Sequence, residues 1–404
     1  MTWWQTGLLA IYTLSLGLLM VVSLHRHIMV RLYFKYGDRV PKLTERFETL
    51  PYVTVQLPVY NEMYVVERLI QAVSEIDYPR DRFEIQVLDD SSDETTAIST
   101  RCIEALQQDG LDIVLIRRSD RVGYKAGALA EGLRLAKGEL VAIFDADFVP
   151  QKDFLHKTVH HFTSANVGLV QARWSHLNRD YSLLTKVQAI YLDGHFVMEH
   201  GARSRAGLFF NFNGTAGVWR KSCIVAVGGW QHDTLTEDLD LSYRAQLAGW
   251  QFIYLQDVVT PAEVPVEVNA WKTQQFRWAK GSVQTLIKLF PRLMASKVSV
   301  FKKIQAIFHM GGYLVHPMML TLVLLALPVL RAIPEYRSAG LLFGILAIPL
   351  CFSVIAPSTL YLVSQRVAHD NWKRRSLMLP FLIVVGVGMA LSNTRAIAEA
   401  IMRK

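Results

Sequence analysis

Hydrophobic positions fall into two regimes along the chain. Residues 7–24 form one uncharged, mostly apolar run, and three more such runs occupy about 306–330, 340–363 and 376–392. Each is long enough, or nearly so, to cross the roughly 30 Å hydrocarbon layer of a bilayer. Between them, short apolar runs alternate with polar turns. Residues 52–57, rich in β-branched side chains, predict a strand that ends at Pro58-Val-Tyr-Asn-Glu62, and a helix follows to about 76. Residues 84–88 and 112–116 predict two further strands, with helices over 95–107 and 127–137. A fourth strand opens onto Asp145-Ala-Asp147. Strand and helix alternate, so the fold class expected is α/β, with a largely parallel sheet that binds ligands at the strands' carboxyl ends. Leu239, Tyr243 and Leu247 recur at helical spacing, which predicts a helix from near Glu237 to Gly249 with Thr236 as its cap.

This patterning divides the chain into an N-terminal span (1–25), a water-facing α/β domain (26–280), an amphipathic stretch (281–305) and a C-terminal membrane region (306–404). The first run lacks a preceding basic residue and a small-residue cleavage site, so a retained anchor is expected rather than a signal peptide. Arg26, Arg31, Lys35 and Arg39 follow it, and the positive-inside rule then places the α/β domain in the cytoplasm. The final run, at 17 residues, is marginal as a simple crossing, and a re-entrant or tilted helix is the alternative.

Composition adds little to that division. Of 404 residues 51% are apolar, and the net charge is +8. No nucleic-acid motif accompanies the basic balance, whereas Lys288, Arg292, Lys297, Lys302 and Lys303, set among apolar residues, suit a helix lying on anionic lipid. Cys102, Cys223 and Cys351 lie far apart with no metal-ligand spacing, so neither a disulfide framework nor a zinc site is suggested, which agrees with a reducing compartment.

The candidate chemistry lies at the strand ends. Asp145 and Asp147, two apart, project the same way if the strand continues through them, and can hold a divalent ion; the alternative is that one caps a helix starting near Pro150. Asp89 and Asp90 end the second strand. In Gly123-Tyr-Lys-Ala-Gly127, Lys125 can neutralise a diphosphate while the two glycines admit backbone close to it. Asn213, Gly214 and Thr215 form a polar bend between aromatic residues. Gln274, Arg277 and Trp278 share one helical face, an arginine to grip phosphate beside a flat ring that a sugar can stack on.

Taken with Thr236-Glu237-Asp238 and Gln274-Gln-Phe-Arg-Trp278, these motifs resemble a membrane-integrated family 2 glycosyltransferase of the GT-A fold. Residues 183–230 are most similar to cellulose synthase-like mannan and glucomannan synthases and their bacterial relatives. The resemblance implies Asp89 and Asp90 on the nucleoside, Lys125 near the phosphates with Gln274 and Arg277, and Mg²⁺ or Mn²⁺ on Asp145 and Asp147. It assigns Asp238 as the base, with Glu237 beside it, and Trp278, Asn213, Gly214 and Thr215 to the acceptor. A base alone suffices for inverting transfer, because a nucleoside diphosphate leaves as an anion.

The expected substrates are a nucleotide diphosphate sugar, of the UDP-glucose or GDP-mannose type, and a growing β-linked glycan, β-1,4 by resemblance. The alternatives are a glycolipid product on diacylglycerol or ceramide, and a non-catalytic membrane sugar-binding scaffold. A basic Thr-Pro-Lys segment, which related synthases carry after a motif like Asn393-Thr-Arg395-Ala, does not follow here, so a shortened or ungated form is expected. Four spans enclose only a narrow channel, which leaves association of copies as a further expectation.

Overall fold

The computed structural model describes residues 2–332 and 339–403. Its first half runs α1 (Trp3–Lys35), β1 (Val53–Val59), α2 (Val66–Ser74), β2 (Phe83–Asp89), α3 (Thr95–Gln108), β3 (Ile113–Arg117), α4 (Tyr124–Leu135) and β4 (Leu140–Ile143). All four strands pair in parallel, in the order β3-β2-β1-β4. Helices cover both faces, so β1, β2 and β4 are almost wholly buried, which is why they read as continuous apolar runs. The polar residues within them pair across the ladder: Thr54 donates to Glu84, and Gln56 to Gln86 at 3.0 Å.

The sheet then continues in a way the sequence pattern did not announce. After α5 (Phe154–Thr158), β5 (Val167–His176) leads to α6 (Leu183–Asp193), a π-helical turn (Gly194–His200) and α7 (Gly201–Arg205). β6 (Gly217–Arg220), α8 (Lys221–Ala226), α9 (Glu237–Leu247) and β7 (Gln251–Ala262) follow. The order is β3-β2-β1-β4-β6-β5-β7, and β6 runs antiparallel to both of its neighbours. The sheet is therefore mixed, with the parallel half confined to β1–β4 and to the β5–β7 pair.

The remaining helices are α10 (Val268–Ala295), α11 (Val300–Met310), α12 (Val315–Ala332), α13 (Ala339–Ala368), α14 (Trp372–Ser376), α15 (Leu379–Gly388) and α16 (Ala390–Ile401). Among the described residues, Trp3–Lys35, Gly312–Ala332 and Gly344–Ala368 are long and apolar enough to cross a membrane. The last apolar run is the first half of a pair, Trp372–Gly388 and Ala390–Ile401, bent by 45°. Residues 306–310 belong to α11, so the second candidate span begins at Gly312.

The amphipathic stretch is partly core. Leu289 and Leu293 pack with Leu239, Tyr243 and Met310, fixing α10 and α11 against α9, while Phe290, Met294, Val300, Phe301 and Ile304 remain exposed. Lys288 lies away from that apolar face, paired with Asp240 at 2.9 Å and with Asp233 at 2.6 Å.

Candidate active site

The residues expected to meet the donor lie largely at the ends of β2 and β4. Beyond Ile143, burial alternates: Phe144, Ala146 and Phe148 are buried while Asp145 and Asp147 stay partly open, so the two carboxylates share a side. Neither caps the following helix, because α5 begins only at Phe154. Lys125 pairs with Asp145 and donates to the Gly214 carbonyl at 3.0 Å. Burial opposes the charge on Lys125, yet Asp145, Glu237 and Asp238 hold its ammonium above the usual lysine range. Burial, then Asp145, pushes the Asp147 carboxyl up to about 7.

Two crowded carboxylates, one with an ammonium partner and the other kept near half-protonated, suit a divalent cation. Among the described residues no third His, Cys, Asp or Glu completes a protein cage. An ion held there would take its remaining ligands from water and diphosphate oxygens, as Mg²⁺ does.

Asp89 and Asp90 divide their roles. The Asp89 side chain is fully buried, accepting from the Ser91 amide at 2.9 Å and the Thr96 hydroxyl at 2.6 Å, so it shapes the loop that follows β2. Asp90 is held by Arg118, which also caps the Val122 and Tyr124 carbonyls. Gly123 takes a left-handed φ of 75°, which only glycine adopts cheaply, but a Cβ on Gly127 would lie 2.1 Å from the Val122 carbonyl. The close approach at Gly127 thus serves the chain's own loop, not a diphosphate.

The expected base and the residues of the Gln274–Trp278 motif lie on α9 and α10. Asp238 lies in the first turn of α9, where its Oδ1 accepts from the Leu239 amide at 2.7 Å. Burial and then the adjacent Glu237 push the Asp238 carboxyl up to about 7; burial raises Glu237 as well. Thr236 occupies the N-cap position, but its hydroxyl meets Thr285 at 3.2 Å and makes no cap bond. The cause is α10: a Cβ on Gly281 would fall 2.5 Å from Thr236 Cγ2 and 2.8 Å from its backbone nitrogen, so the helix bearing Gln274, Arg277 and Trp278 seats directly on the start of α9. Arg277 is exposed and close enough to Glu237 to oppose its rise, and Gln274 and Trp278 are half-buried on the same helix.

At the bend, Gly214 adopts φ 79°, and a Cβ there would sit 3.3 Å from both Asp238 Oδ2 and Lys125 Nζ. Thr215 is completely buried, and its hydroxyl accepts the Asp145 amide at 2.9 Å, which ties the bend to the acid turn. Asn213 remains on the open wall, hydrogen-bonded to His195 and His200 at 2.9 Å each.

A cavity of about 480 Å³ opens between this wall and the apolar helices, lined on the sheet-domain side by Asp238, Asn213, Trp278 and His195. His195 was not singled out by sequence, nor was Glu199, which pairs with Arg26 at 3.0 Å and Arg203 at 3.3 Å and lies 3.6 Å from His195. Those arginines and His195 hold the Glu199 carboxyl well below the usual range despite its burial. The available signal was the spacing of His195 and Glu199, four apart around the apolar Phe196-Val-Met198.

Residues 51–281 match the family described as "Glycosyltransferase like family 2". The chain belongs to this family. Curated relatives include "Glucomannan 4-beta-mannosyltransferase 1" of Oryza sativa subsp. japonica, 38% identical over 80% of this chain and 64% of the relative. "Probable glucomannan 4-beta-mannosyltransferase 10" of Arabidopsis thaliana is 36% identical over 85% of this chain and 66% of the relative. The chain thus spans less than two thirds of their length. A solved structure of mannosyltransferase PcManGT from Pyrobaculum calidifontis, in complex with GDP-Man and Mn²⁺, superposes with a TM-score of 0.63 at 24% identity, covering 94% of this chain and 97% of that one. The glycosyltransferase domain accordingly has the GT-A fold.

The packing at Gly281 yields a test of this family 2 glycosyltransferase. Gly281→Ala must push α10 off the Thr236 backbone, separating Arg277 and Trp278 from Glu237 and Asp238. Turnover is expected to fall about 100-fold, the scale of a misplacement near 1 Å, while a circular dichroism melt still shows a cooperative fold.

Proposed function

We propose that the chain transfers a mannosyl unit from GDP-mannose, with inversion, to an acceptor hydroxyl, building β-1,4-linked hexose units at the cytoplasmic face of a membrane. The observation that carries this is the convergence on Gly214: the Lys125 ammonium, which pairs with Asp145, and the Asp238 carboxylate both lie against that one glycine. The residue proposed to meet the diphosphate and the proposed base thus sit beside the same glycine. The names of the curated relatives favour mannose over glucose, and the donor and metal in the PcManGT structure agree. The basic residues that follow the apolar run 7–24 (Arg26, Arg31, Lys35 and Arg39) support the cytoplasmic placement.

The residues take the following roles. Asp238 accepts the proton of the acceptor hydroxyl, whose oxygen attacks the anomeric carbon from the face opposite the diphosphate. Trp278 and Asn213 bound the acceptor, and Arg277 and Lys125 meet the phosphates. Asp145 and Asp147 would hold Mn²⁺ or Mg²⁺, which when bound neutralises the departing diphosphate. Asp90 faces the nucleoside, with Arg118 fixing it.

Incubation of the purified chain with labelled GDP-mannose, UDP-glucose, Mn²⁺ and β-mannobiose tests this. Label from GDP-mannose should move to the acceptor, and equal or faster transfer from UDP-glucose would refute the donor assignment. The pH profile is a second check. A base must be deprotonated, and the Asp238 carboxyl is raised to about 7, so kcat/KM should climb through about pH 7 and fall about tenfold per unit below it. A profile flat from pH 5.5 to 8.5 would exclude the base role.

A further inference from the structure

We propose that His195 is a positioning residue for the transfer, holding the 213–215 bend against the acid turn and the base, and that Arg26 of α1 sets its orientation through Glu199. This role deepens the transfer function proposed above and rests on it. It gives the N-terminal helix a part in turnover besides anchoring the chain.

The local geometry comes from the π-helical turn, Gly194–His200. In an α-helix, residues five apart point about 140° away from each other. Hydrogen bonding from i to i+5 widens the turn and brings them onto one face. The His195 and His200 rings accordingly lie 4.3 Å apart between centroids, and both meet the Asn213 side-chain amide at 2.9 Å. Both ends of the turn are pinned. At its start Asp193 accepts from Gln365 and His369 at 2.9 Å each, and a Cβ on Gly194 would lie 2.5 Å from the Tyr361 ring. At its end Glu199 is paired with Arg26 at 3.0 Å and with Arg203 at 3.3 Å.

Both ring nitrogens of His195 are taken by protein. Nδ1 faces the Glu199 carboxylate at 3.6 Å and Nε2 meets Asn213 Oδ1 at 2.9 Å, so the ring acts through Asn213 and not on a substrate. Asn213 is also held by its backbone amide, which donates to Gln171 at 3.1 Å. The next two residues carry the contacts to the site: the Gly214 carbonyl accepts from Lys125 at 3.0 Å, and the Thr215 hydroxyl accepts the Asp145 amide at 2.9 Å. Arg26, Glu199, His195 and Asn213 thus form an unbroken line of polar contacts from α1 to the glycine beside Asp238.

The test compares variants of the full chain in phosphatidylcholine nanodiscs, supplied with GDP-mannose, Mn²⁺ and β-mannobiose. His195→Leu keeps bulk and loses both contacts. Its kcat should fall about 30-fold while donor Kd stays within about threefold, because a displaced bend misaligns groups that are all still present. His195→Gln puts an amide nitrogen where Nε2 was, and should recover to within about fivefold of the wild type. Arg26→Met should lower kcat about tenfold, whereas Arg31→Met, which removes the same charge from an exposed position on the same helix, should leave it within about twofold. Combining Arg26→Met with His195→Leu should cost no more than His195→Leu alone, since the two act along one line.

A His195→Leu chain as fast as the wild type, a His195→Gln chain as slow as His195→Leu, or losses that multiply in the double variant would each overturn the proposal. A wild type that transfers nothing would refute the reaction instead, and the line of contacts is then read by ¹⁵N-histidine NMR. The His195 ring signal, assigned by its absence from His195→Gln, should shift in Arg26→Met and stay in place in Arg31→Met; a signal unmoved in both would overturn the coupling.

Discussion

Asp238→Asn is expected to reduce hexosyl transfer by about 10³-fold, within the 10²–10⁴ range that a positioned base contributes, while donor affinity stays within about twofold. The change is close to isosteric, and the asparagine carbonyl can keep the bond that Asp238 Oδ1 accepts from the Leu239 amide. The first turn of α9 should therefore hold its geometry. What is lost is the lone pair that takes the acceptor proton. Donor binding is not expected to weaken, because the phosphate-side charge comes from Lys125 and Arg277 on other elements. Rates from labelled GDP-mannose, with donor Kd by isothermal titration, check both halves. Comparable losses of Kd and turnover would mean that Asp238 acts on the donor.

The second large effect is at the acid turn. Asp145→Asn and Asp147→Asn are each expected to lower kcat/KM by about 10³-fold, on the scale of removing a group that stabilises leaving-group charge, and excess chelator should abolish wild-type turnover. Stability should move the other way. The Asp147 carboxyl is raised to about 7, above its unfolded value, so the folded state binds its proton more tightly and stability falls as pH rises towards 7. Asparagine removes that penalty. In chelator at pH 8 the Tm of Asp147→Asn should equal or exceed that of the wild type, and a lower Tm would show that the carboxylate supports the fold directly.

Much of the first half was legible because each element there is bounded by local signals. Turn residues and continuous apolar runs mark β1 to β4, and α3 ends at Gln108 against an expected 107. The second half depends on contacts remote in sequence. β6, only four residues long, is a strand because it inserts between β4 and β5, which no local pattern encodes. Thr236 looked like a helix cap until Gly281, 45 positions later, brought α10 onto it. Lys288 and Asp89 likewise found partners that composition could not assign. His195 shows the limit for the site itself: its importance comes from Asn213, Glu199 and a cavity wall formed with spans from both ends of the chain.

The most direct measurement is the structure of the transfer product. The purified chain is given GDP-[¹⁴C]mannose, Mn²⁺ and a β-mannosyl acceptor, and the labelled product is resolved by linkage analysis and β-mannosidase digestion. A β-1,4-linked mannosyl product, formed by the wild type and lost with Asp238→Asn, is the expected result. An α-linked product, or label released only as free mannose at an equal rate in both proteins, would contradict inverting transfer at Asp238.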